Sequence, residues 1–307
     1  MGANDVAGAC CSPSAPIRSP RGSILNEQQS LRATRAASSA GSPAWIALDA
    51  AEYERGSADP SIDPADGVGE IRRCRVEAFV LSATAVRNDE FAAFVEATGY
   101  VTDAERIGWA FVFGGNLPDE FEPTAGVAHA PWWRQVFGTT WRCPHGPQSD
   151  LAERGNHPVV QVSWADAQAY SAWIGARLPT EIESEYAARG GLCGARFPWG
   201  DELEPDGEHR MNVWQGTFPS NNTAADGWYA TCPVNAFPPN GLGFYNMTGN
   251  VWEWCEDRFD PILDTHRVLR GGSYLCHESY CDRYRVTGRS GSTPGSASDN
   301  TGFRCAR

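Results

Sequence analysis

Two runs near the C-terminus carry most of the information on the fold and the chemistry: Gly249-Asn-Val-Trp-Glu-Trp254 and Arg270-Gly-Gly-Ser-Tyr-Leu-Cys-His-Glu-Ser-Tyr-Cys-Asp-Arg-Tyr-Arg285. The second run contains Cys276 and Cys281 among hydroxyl, imidazole and guanidinium side chains. Positions i and i+5 of a straight strand face opposite sides, so the two thiols meet only if the chain turns between them. The run therefore predicts a turn that gathers two thiols in a polar setting.

A thiol pair in such a setting has two interpretations. Neighbouring arginines lower a thiol pKa, and two thiolates with few other donors suit the soft ion Cu(I). The alternative is a local disulfide or two buried structural thiols, and the spacing alone leaves both open. His277 beside Cys276 suggests a general base, but a hydrogen-bonded structural histidine is the simpler interpretation.

The composition excludes several kinds of chemistry. All 25 basic side chains are arginine, because the chain contains no lysine. Schiff-base, pyridoxal-phosphate and P-loop enzymes each require a primary amine and are excluded. With 38 acidic residues the net charge is −13, which argues against binding to nucleic acid or to an anionic membrane. We therefore expect no nucleic-acid partner and no membrane partner.

The bulk numbers favour a loop-rich globular protein. A length of 307 residues fits one large domain or two small ones, and 32 glycines with 21 prolines indicate many turns. No run approaches the ~20 apolar residues of a membrane span, and residues 1–15 lack the pattern of a signal peptide. The ten cysteines form no C-x-x-C pair, which argues against a zinc ribbon. We expect a cytoplasmic protein, and a monomer.

The N-terminal part differs in composition from the rest. Residues 1–43 are rich in Ser, Ala, Pro and Arg and nearly free of aromatic residues. Such a segment buries too little apolar surface to offset the entropy of ordering, so we predict a disordered tail over 1–43 and a folded domain over 44–307. Cys10 and Cys11 lie in this tail and are interpreted as incidental.

Caps and spacing predict three helices in the folded part. Each starts at a polar residue and stops at a glycine: Asn88 to Gly99, Ser163 to Gly175, and Thr180 to Gly190. Short apolar runs such as 157–162 predict short strands between long structured loops. So much irregular backbone needs partners besides sheet ladders for its polar groups, and bound cations are one solution.

Further runs resemble the formylglycine-generating enzymes, also called the sulfatase-modifying factor family. These runs are Arg177-Leu-Pro-Thr-Glu181, Tyr186-Ala-Ala-Arg-Gly-Gly-Leu192, Phe197-Pro-Trp-Gly200, Asn212-Val-Trp-Gln-Gly-Thr-Phe-Pro219, Pro238-Pro-Asn-Gly241 and Thr301-Gly-Phe-Arg-Cys-Ala306. The resemblance covers roughly residues 45–307. The 249–254 run marks only the broader superfamily, whereas the run from Cys276 to Arg285 is specific to the formylglycine branch.

The resemblance implies a fold and an activity. The fold is α+β, a C-type-lectin-like variant with little regular secondary structure, loop-rich and built as a single domain. The activity is oxidation, by Cu(I) and O2, of the cysteine in a C-x-P-x-R segment of unfolded sulfatases to formylglycine. The partners implied are therefore an unfolded sulfatase polypeptide or a C-x-P-x-R peptide, and O2.

The resemblance also implies roles for individual residues. Cys276 and Cys281 are expected to be the copper ligands. Ser273 is expected to line the pocket for O2 and substrate, with Trp252 and Tyr280 shaping it. The residues expected to bind the substrate peptide are Ser292, Pro294 and Arg283.

Two structural calcium sites are implied as well. The first is expected to use Asn212, the Val213 carbonyl, Asp226 and the Trp228 carbonyl. The second is expected to use Asn246, the Gly249 and Val251 carbonyls, and Glu253. Oxygen ligation with several backbone carbonyls suits a hard cation that pins a loop, although Asn and Asp residues that simply form turns are the alternative.

The sequence departs from the family pattern at several places. The Pro-Gly-Gly of the family's entry segment is replaced by Asp49-Ala50-Ala51, and its NTPD pattern by Ser292-Thr-Pro-Gly295. The second change falls in the substrate groove and leaves the peptide specificity open. The usual disulfide partner of Cys305 is replaced by Ala188, so we expect a free thiol at Cys305.

Two other functions remain possible on the same scaffold. One is a copper–thiolate oxidase that acts on a different peptidyl or small-molecule thiol. The other is a non-catalytic binding paralogue, although such paralogues lose the thiol pair. A sulfoxide synthase requires an H-x3-H-x-E iron site, and the six histidines include no i, i+4 pair.

Overall fold

The computed structural model describes residues 12–15 and 44–307. Its helices are α1 (Asn88–Thr98), α2 (Asp103–Ile107), α3 (Trp164–Trp173) and α4 (Glu181–Ala188), with 3-10 turns at Pro64–Asp66, Gly114–Asn116 and Pro205–Gly207. Its strands are β1 (Trp45–Leu48), β2 (Ala51–Arg55), β3 (Arg72–Val76), β4 (Phe79–Ser82), β5 (Trp109–Phe113), β6 (Gly126–Val127), β7 (Ala130–Phe137), β8 (Gly216–Thr217), β9 (Asn221–Asn222), β10 (Trp252–Arg258), β11 (Arg267–Arg270), β12 (Arg289–Ser292) and β13 (Thr301–Gly302).

A four-stranded sheet with the order β12-β11-β10-β13 supports the thiol-bearing run. Strand β10 lies antiparallel to β11 and parallel to β13, and β11 lies antiparallel to β12. The smaller sheets are β5-β7-β6, β1-β4, β2-β3 and β8-β9. Short mixed sheets, few helices and long connections confirm the predicted α+β, loop-rich, single-domain fold.

Two of the three predicted helix starts are confirmed. At α3 the Ser163 hydroxyl accepts from the Asp166 N–H at 3.1 Å, and at α4 the Thr180 hydroxyl accepts from the Glu183 N–H at 3.2 Å. The Asp166 and Glu183 carboxylates accept in return from the cap N–H groups. These reciprocal bonds satisfy N–H groups that the first turn of a helix leaves without partners.

The predicted cap of α1 is wrong by one residue. Arg87 occupies the cap, and the Glu90 carboxylate accepts from its N–H at 2.9 Å. The Asn88 amide instead donates to the Arg154 carbonyl at 2.9 Å. The Asn88 side chain, which the sequence suggested as the helix cap, is therefore used in a contact with a distant loop instead. The predicted end at Gly99 is confirmed, with φ of 66°.

One helix was missed and one strand was wrongly predicted. Helix α2 begins at a Thr102–Glu105 capping box, which the sequence shows, but five residues are too few for an apolar repeat. Residues 157–162 do not form a strand and make only a bridge at Pro158. Gln161 adopts φ of 61° and its amide donates to the Phe111 and Pro144 carbonyls at 3.0 and 2.8 Å, so the chain leaves the extended conformation there.

The largest hydrophobic cluster contains both the aromatic core and the two thiols. Trp252 and Trp254 of β10 pack in it with Phe91 of α1, and Cys276 and Cys281 are members of the same cluster. Aromatic side chains dominate the energetics of such cores because each buries a large area. Cys276 and Cys281 therefore lie in the aromatic core rather than on the surface.

A buried ion-pair cluster fixes the start of the thiol-bearing run. Arg270, at the end of β11, donates to Glu181 at 3.2 Å and to Glu185 at 2.9 Å. Arg289 and Arg55 contact Glu181 at 2.6 and 2.9 Å. Burial raises the pKa of Glu181, but the three guanidinium groups outweigh burial and hold it at about 2. Glu181 therefore stays ionised in the folded protein far into acid.

This shift predicts an acid-dependent loss of stability. Because the folded pKa of Glu181 lies below its ordinary value of 4.5, the stabilisation is complete above that pH and is lost as the pH falls towards 2. The loss is on the order of 3 kcal/mol. Glu181→Gln should therefore show a shallower pH dependence of the unfolding free energy in urea titrations. Glu52→Gln, at an exposed pair with Arg73, should match the wild type, and parallel curves for Glu181→Gln would refute the assignment.

Two predictions concern parts of the chain with little or no described structure. Residues 1–11 and 16–43, including Cys10 and Cys11, lie outside the described residues, so there the disordered tail stays a prediction, as does the domain boundary at 44. Within residues 12–15 and 44–307, no helix has the length and apolar character needed to cross a bilayer.

Candidate active site

The loop that follows β11 turns sharply through two glycines. Gly271 and Gly272 have φ of 93° and 74°, a region that residues with a Cβ rarely adopt. A Cβ on Gly272 would lie 2.8 Å from the Tyr284 Cα, closer than real contacts allow. Both the backbone angle and the space therefore require glycine before Ser273.

Two consecutive turns then bring the thiols together. The Ser273 carbonyl accepts from the Cys276 N–H at 2.9 Å, and the His277 carbonyl accepts from the Cys281 N–H at 2.7 Å. The two Sγ atoms lie 3.4 Å apart, and both residues are buried. The predicted turn is confirmed.

The two cysteines differ in oxidation state. Cys276 is a free thiol, whereas Cys281 belongs to a disulfide. Cys281 is therefore not bonded to Cys276, and the local disulfide considered from the sequence is wrong. A free thiol beside a disulfide sulfur has the arrangement from which thiol–disulfide exchange starts.

Arg283 lowers the pKa of Cys276 as the sequence predicted, but burial outweighs this effect. Burial raises the pKa of Cys276 to about 12, and the Ser273 N–H and the Arg283 charge oppose this only in part. The Ser273 N–H donates to the Cys276 sulfur at 3.4 Å. Desolvation dominates because the thiol is fully enclosed, which sequence spacing does not reveal.

Ser273 is held by a residue that the sequence did not single out. The Asn300 amide donates to the Ser273 Oγ at 3.0 Å, and the Leu275 N–H donates to the same oxygen at 3.3 Å. Because Ser273 Oγ accepts both bonds, its own O–H remains a donor. Asn300 directly precedes the family run Thr301–Ala306. The run therefore pointed to this part of the chain, but it did not include Asn300.

Tyr280 lies between two aromatic rings. It stacks on Phe218 with ring centroids 4.8 Å apart and meets Trp132 edge-on at 4.8 Å. Trp252 is fully buried in β10, in the same cluster as the two thiols. Of the two aromatic residues predicted for the site, Trp252 packs in the cluster that contains Cys276 and Cys281, and Tyr280 directly precedes Cys281. Phe218, which stacks on Tyr280, was not predicted to belong to the site.

Arg283 connects the thiol pair to a buried carboxylate. Its Nη1 lies 3.8 Å from the Cys281 sulfur, and its Nε donates to Asp66 at 2.8 Å. Asp66 ends a 3-10 turn more than two hundred residues earlier, and it was not predicted. Arg283, expected to bind substrate, thus lies against the Cys281 sulfur and is buried rather than an open surface cation.

Residues 292–296, here called the peptide ledge, contact a second part of the chain. Ser292 donates to the Pro13 carbonyl at 3.1 Å, and Thr293 Oγ1 donates to the Ala15 carbonyl at 2.7 Å. Ser12 and Ala15 are only 1% and 9% exposed. Residues 12–15 therefore contact the ledge, and the disordered tail over 1–43 stays a prediction. Pro294, also predicted to bind substrate, is half-buried in the ledge, and its carbonyl accepts from the Trp164 N–H.

The residues of the first predicted calcium site lie together. Asp226 accepts from the Val213 and Trp228 N–H groups at 3.1 and 3.0 Å. Asn212 donates its amide N–H to the Ala230 carbonyl, but its Oδ1 is buried with no hydrogen-bond partner among the described residues. A buried oxygen without a donor is costly unless a cation meets it. This donor set fits a calcium ion.

The second predicted calcium site fits less completely. Asn246 Oδ1 is likewise buried without a partner among the described residues, at a backbone with φ of 46°. Both oxygens of Glu253, however, accept from the guanidinium of Arg304, at 2.5 and 2.8 Å. A carboxylate oxygen has a second lone pair, so Glu253 retains capacity for a cation but is already neutralised. The Gly249 N–H donates to the Gly271 carbonyl, and Val251 is buried beside β10.

Two further observations complete the comparison with the sequence. Cys305 is a buried free thiol, as expected from the replacement of its usual partner by Ala188. Among the described residues no group of three or more His, Cys, Asp and Glu side chains converges on a metal position. The predicted copper site has only two cysteine ligands, and each predicted calcium site has only one carboxylate, so neither kind of site requires such a group.

Comparison with known proteins identifies the family. Residues 32–307 match the family described as sulfatase-modifying factor enzyme 1-like domain. The formylglycine-generating enzyme of Thermomonospora curvata is 53% identical over 279 residues, which span 85% of this chain and 92% of the relative. The inactive C-alpha-formylglycine-generating enzyme 2 of Bos taurus is 45% identical over 266 residues, which span 85% and 87%.

A solved structure supports the fold. PvdO from Pseudomonas aeruginosa has a TM-score of 0.60 at 24% sequence identity and covers 87% of this chain and 94% of its own. The family match over residues 32–307 and the 53% identity to the relative from Thermomonospora curvata establish the family. The chain belongs to the sulfatase-modifying factor family, that of the formylglycine-generating enzymes.

Proposed function

We propose that this chain is a copper-dependent oxidase that converts the cysteine of a C-x-P-x-R segment in sulfatases to formylglycine with O2. The observation that carries the proposal is the pair of buried sulfur atoms of Cys276 and Cys281, 3.4 Å apart. Membership of the family supplies the reaction class, and the thiol pair supplies the redox centre.

The donor set suits Cu(I). Within residues 12–15 and 44–307, the two cysteine sulfurs have no third protein ligand of the usual kinds, which favours a soft, low-coordinate ion over zinc or a hard cation. Copper bound there would supply electron transfer to O2. Cys281 provides a thiolate only after its disulfide is reduced, so metal loading requires a reductant.

The residues around the thiols have separable tasks. The Ser273 O–H, held by Asn300 at 3.0 Å, donates to negative charge that develops on reduced oxygen or on a substrate sulfur. Trp252 is fully buried and helps to exclude water. Arg283 lies against the Cys281 sulfur at 3.8 Å and stabilises its thiolate form.

The electron count requires an outside reductant. The substrate CH2–SH group loses two electrons and two protons to become a thioaldehyde, which water hydrolyses to the aldehyde and hydrogen sulfide. Reduction of O2 to water takes four electrons. The other two come from an external thiol, which is oxidised to its disulfide. Turnover should therefore depend on an added thiol reductant.

We also propose that two calcium ions stabilise the loops around β10. The orphaned Oδ1 atoms of Asn212 and Asn246 support this proposal. The carbonyl oxygens of neighbouring residues and one carboxylate for each ion complete hard-oxygen donor sets.

Two alternatives are distinguished by a substrate panel. A small-thiol oxidase would consume O2 with free cysteine or glutathione as readily as with a peptide. A non-catalytic paralogue, like the inactive relative in Bos taurus, would consume none. The proposed enzyme should oxidise a C-x-P-x-R peptide, reject the same peptide with Ser in place of Cys, and leave the small thiols largely intact.

Ser273→Ala provides a specific test within the site. Because the hydroxyl acts on developing charge, we expect turnover to fall about 100-fold while Cu(I) affinity stays within about twofold of the wild-type value. Oxygen consumption with saturating peptide measures the first, and competition with a Cu(I) chelator measures the second. Unchanged turnover would remove Ser273 from the site.

A further inference from the structure

A cavity of about 260 Å³ lies at a part of the molecule that the proposed chemistry does not use. Its walls come from four separate parts of the chain, at residues 56–59, at Ile71, between residues 189 and 201, and at residues 285–287. Of the residues proposed to hold copper, calcium or peptide, all of which the structure describes, none lines this cavity. One water needs only ~10–15 Å³ of such space, so the cavity has room for an ion or a small organic molecule.

Three arginines from distant positions line this cavity, which we call the arginine pocket. Arg189 directly follows α4, Arg196 lies in the loop after it, and Arg285 ends the thiol-bearing run. Arg189 and Arg285 are only 4% and 2% exposed, whereas Arg196 is exposed. A guanidinium group is not deprotonated in proteins. The pocket therefore holds three permanent positive charges in a chain whose net charge is −13.

The two buried guanidinium groups have donors without acceptors. The Nε–H groups of Arg189 and Arg285 are buried, and no described residue accepts a hydrogen bond from either. The Arg285 Nη1 lies 3.4 Å from the Asp59 carboxylate and 3.4 Å from the Ser61 hydroxyl, both longer than the usual N–H···O distance. Buried donors without acceptors cost free energy, so both side chains favour an added acceptor.

The two carboxylates of the pocket are engaged with other donors. Asp59 accepts from the N–H and from the hydroxyl of Ser61 at 2.9 and 2.7 Å. Asp201 accepts from the backbone N–H of Arg196 at 3.0 Å. With three guanidinium groups and two carboxylates, the lining of the pocket carries one positive charge in excess.

Two further carboxylates near the pocket are shared between several arginines. Glu185 accepts from Arg189 at 2.7 Å, but it also contacts two arginines of the buried ion-pair cluster at 2.9 and 3.4 Å. Asp282 accepts from Arg285 at 2.8 Å and lies 3.7 Å from Arg196. A carboxylate that serves two or three guanidinium groups neutralises none of them completely. The positive charge at the pocket is therefore only partly compensated by the chain.

We propose that the arginine pocket binds a small oxyanion, a sulfate, phosphate or carboxylate group that accepts hydrogen bonds from Arg189, Arg196 and Arg285. Arginine presents its donors in a planar fork that matches the oxygen atoms of such groups. The inference does not rest on the proposed function, because the occupancy of the pocket is measurable without turnover.

A bound oxyanion joins the end of the thiol-bearing run to α4. Arg285 ends that run, and Arg189 follows α4 and bonds to Glu185 within it. Arg270, which starts the run, bonds to the same carboxylate. The oxyanion therefore adds to the ion pairs that hold both ends of the run, and it stabilises the folded state without contacting the thiols.

Isothermal titration calorimetry of the full-length protein tests the site. The probes are sodium sulfate, sodium phosphate and sodium malonate, at an ionic strength held constant with sodium chloride. We expect saturable binding at one site per chain. Tighter binding of sulfate or phosphate assigns a tetrahedral group to the pocket, and tighter binding of malonate assigns a carboxylate. A thermal shift alone is not sufficient, because sulfate stabilises folded proteins in general by its exclusion from their surface. No saturable binding of any of the three anions would overturn the proposal.

Variants at exposed positions show whether the anion occupies this pocket. Ala58, an exposed residue of the lining, provides a matched pair. Ala58→Asp adds a carboxylate and should weaken binding about fivefold or more, because like charges repel, whereas the neutral Ala58→Asn should match the wild type. Arg196→Gln removes a charged donor and should weaken binding about tenfold. Arg73→Gln, at an exposed pair with Glu52, should leave the affinity unchanged. Equal affinities in the wild type, Ala58→Asp and Arg196→Gln would refute the assignment even if sulfate binds, because the anion would then lie elsewhere.

Discussion

Replacing either Cys276 or Cys281 with serine lowers conversion of a C-x-P-x-R peptide by about a thousandfold or more and abolishes tight Cu(I) binding. The two sulfur atoms are the only soft donors that the described part of the site brings together, 3.4 Å apart. A hydroxyl is a poor ligand for Cu(I), and loss of one of two ligands removes the redox centre. Peptide conversion by mass spectrometry and competition with a Cu(I) chelator measure the two effects.

Cys193→Ser is the matched control for these variants. Cys193 is an exposed free thiol that donates to Glu54 at 3.2 Å, away from the thiol-bearing loop. We expect wild-type Cu(I) affinity and turnover in this variant. If Cys276→Ser and Cys281→Ser both retain the wild-type Cu(I) affinity, the copper assignment is wrong whatever the effect on turnover.

Chelating calcium should lower the melting temperature by about 5–10 °C for each site that the ion fills. A ligand present at about 100 times its Kd stabilises the folded state by about 2.7 kcal/mol, and 1 kcal/mol corresponds to roughly 2–4 °C for a chain somewhat shorter than this one. The buried Oδ1 atoms of Asn212 and Asn246, which have no partner among the described residues, are the groups that the ions would satisfy. Thermal unfolding followed by circular dichroism, with excess calcium and with excess chelator, measures the difference.

Variants show whether each site contributes. Asn212→Ala should reduce the calcium-dependent shift, and Asn246→Ala should do so less strongly, because Glu253 at the second site is already paired with Arg304. Asn235→Ala, at an exposed contact with Asn156, should leave the shift unchanged. A melting temperature that is identical with calcium and with chelator would rule out both sites.

The fold was predictable where local chemistry decides it. The S-x-x-D and T-x-x-E boxes placed the starts of α3 and α4, because a capping box is complete within four residues. The run around Cys276 and Cys281 predicted its turn, because the strand period forbids their meeting otherwise. Family motifs singled out Ser273, Tyr280 and the loops that are proposed to hold calcium.

The rest depends on distant contacts that no local pattern encodes. Asn300 and Asp66 act on Ser273 and Arg283 across 27 and 217 positions of the chain. Complete burial outweighs the lowering of the Cys276 pKa by Arg283.

The contacts of residues 12–15 also depend on a distant part of the chain that composition does not reveal. Composition favours disorder over residues 1–43, yet the Thr293 hydroxyl donates a hydrogen bond to the Ala15 carbonyl across 278 positions of the chain. Four residues were enough because the ledge satisfies their main-chain groups, a gain that an average over a long window does not detect.

The most direct test of the proposed function is conversion of a peptide by the reduced, Cu(I)-loaded wild-type protein in air, with a thiol reductant present. Intact-mass spectrometry, with oxime labelling of any aldehyde, follows a C-x-P-x-R peptide with and without the metal. We predict copper-dependent loss of the thiol and appearance of one aldehyde at the cysteine position. A protein that binds Cu(I) at Cys276 and Cys281 but leaves the peptide thiol intact would contradict the proposed function.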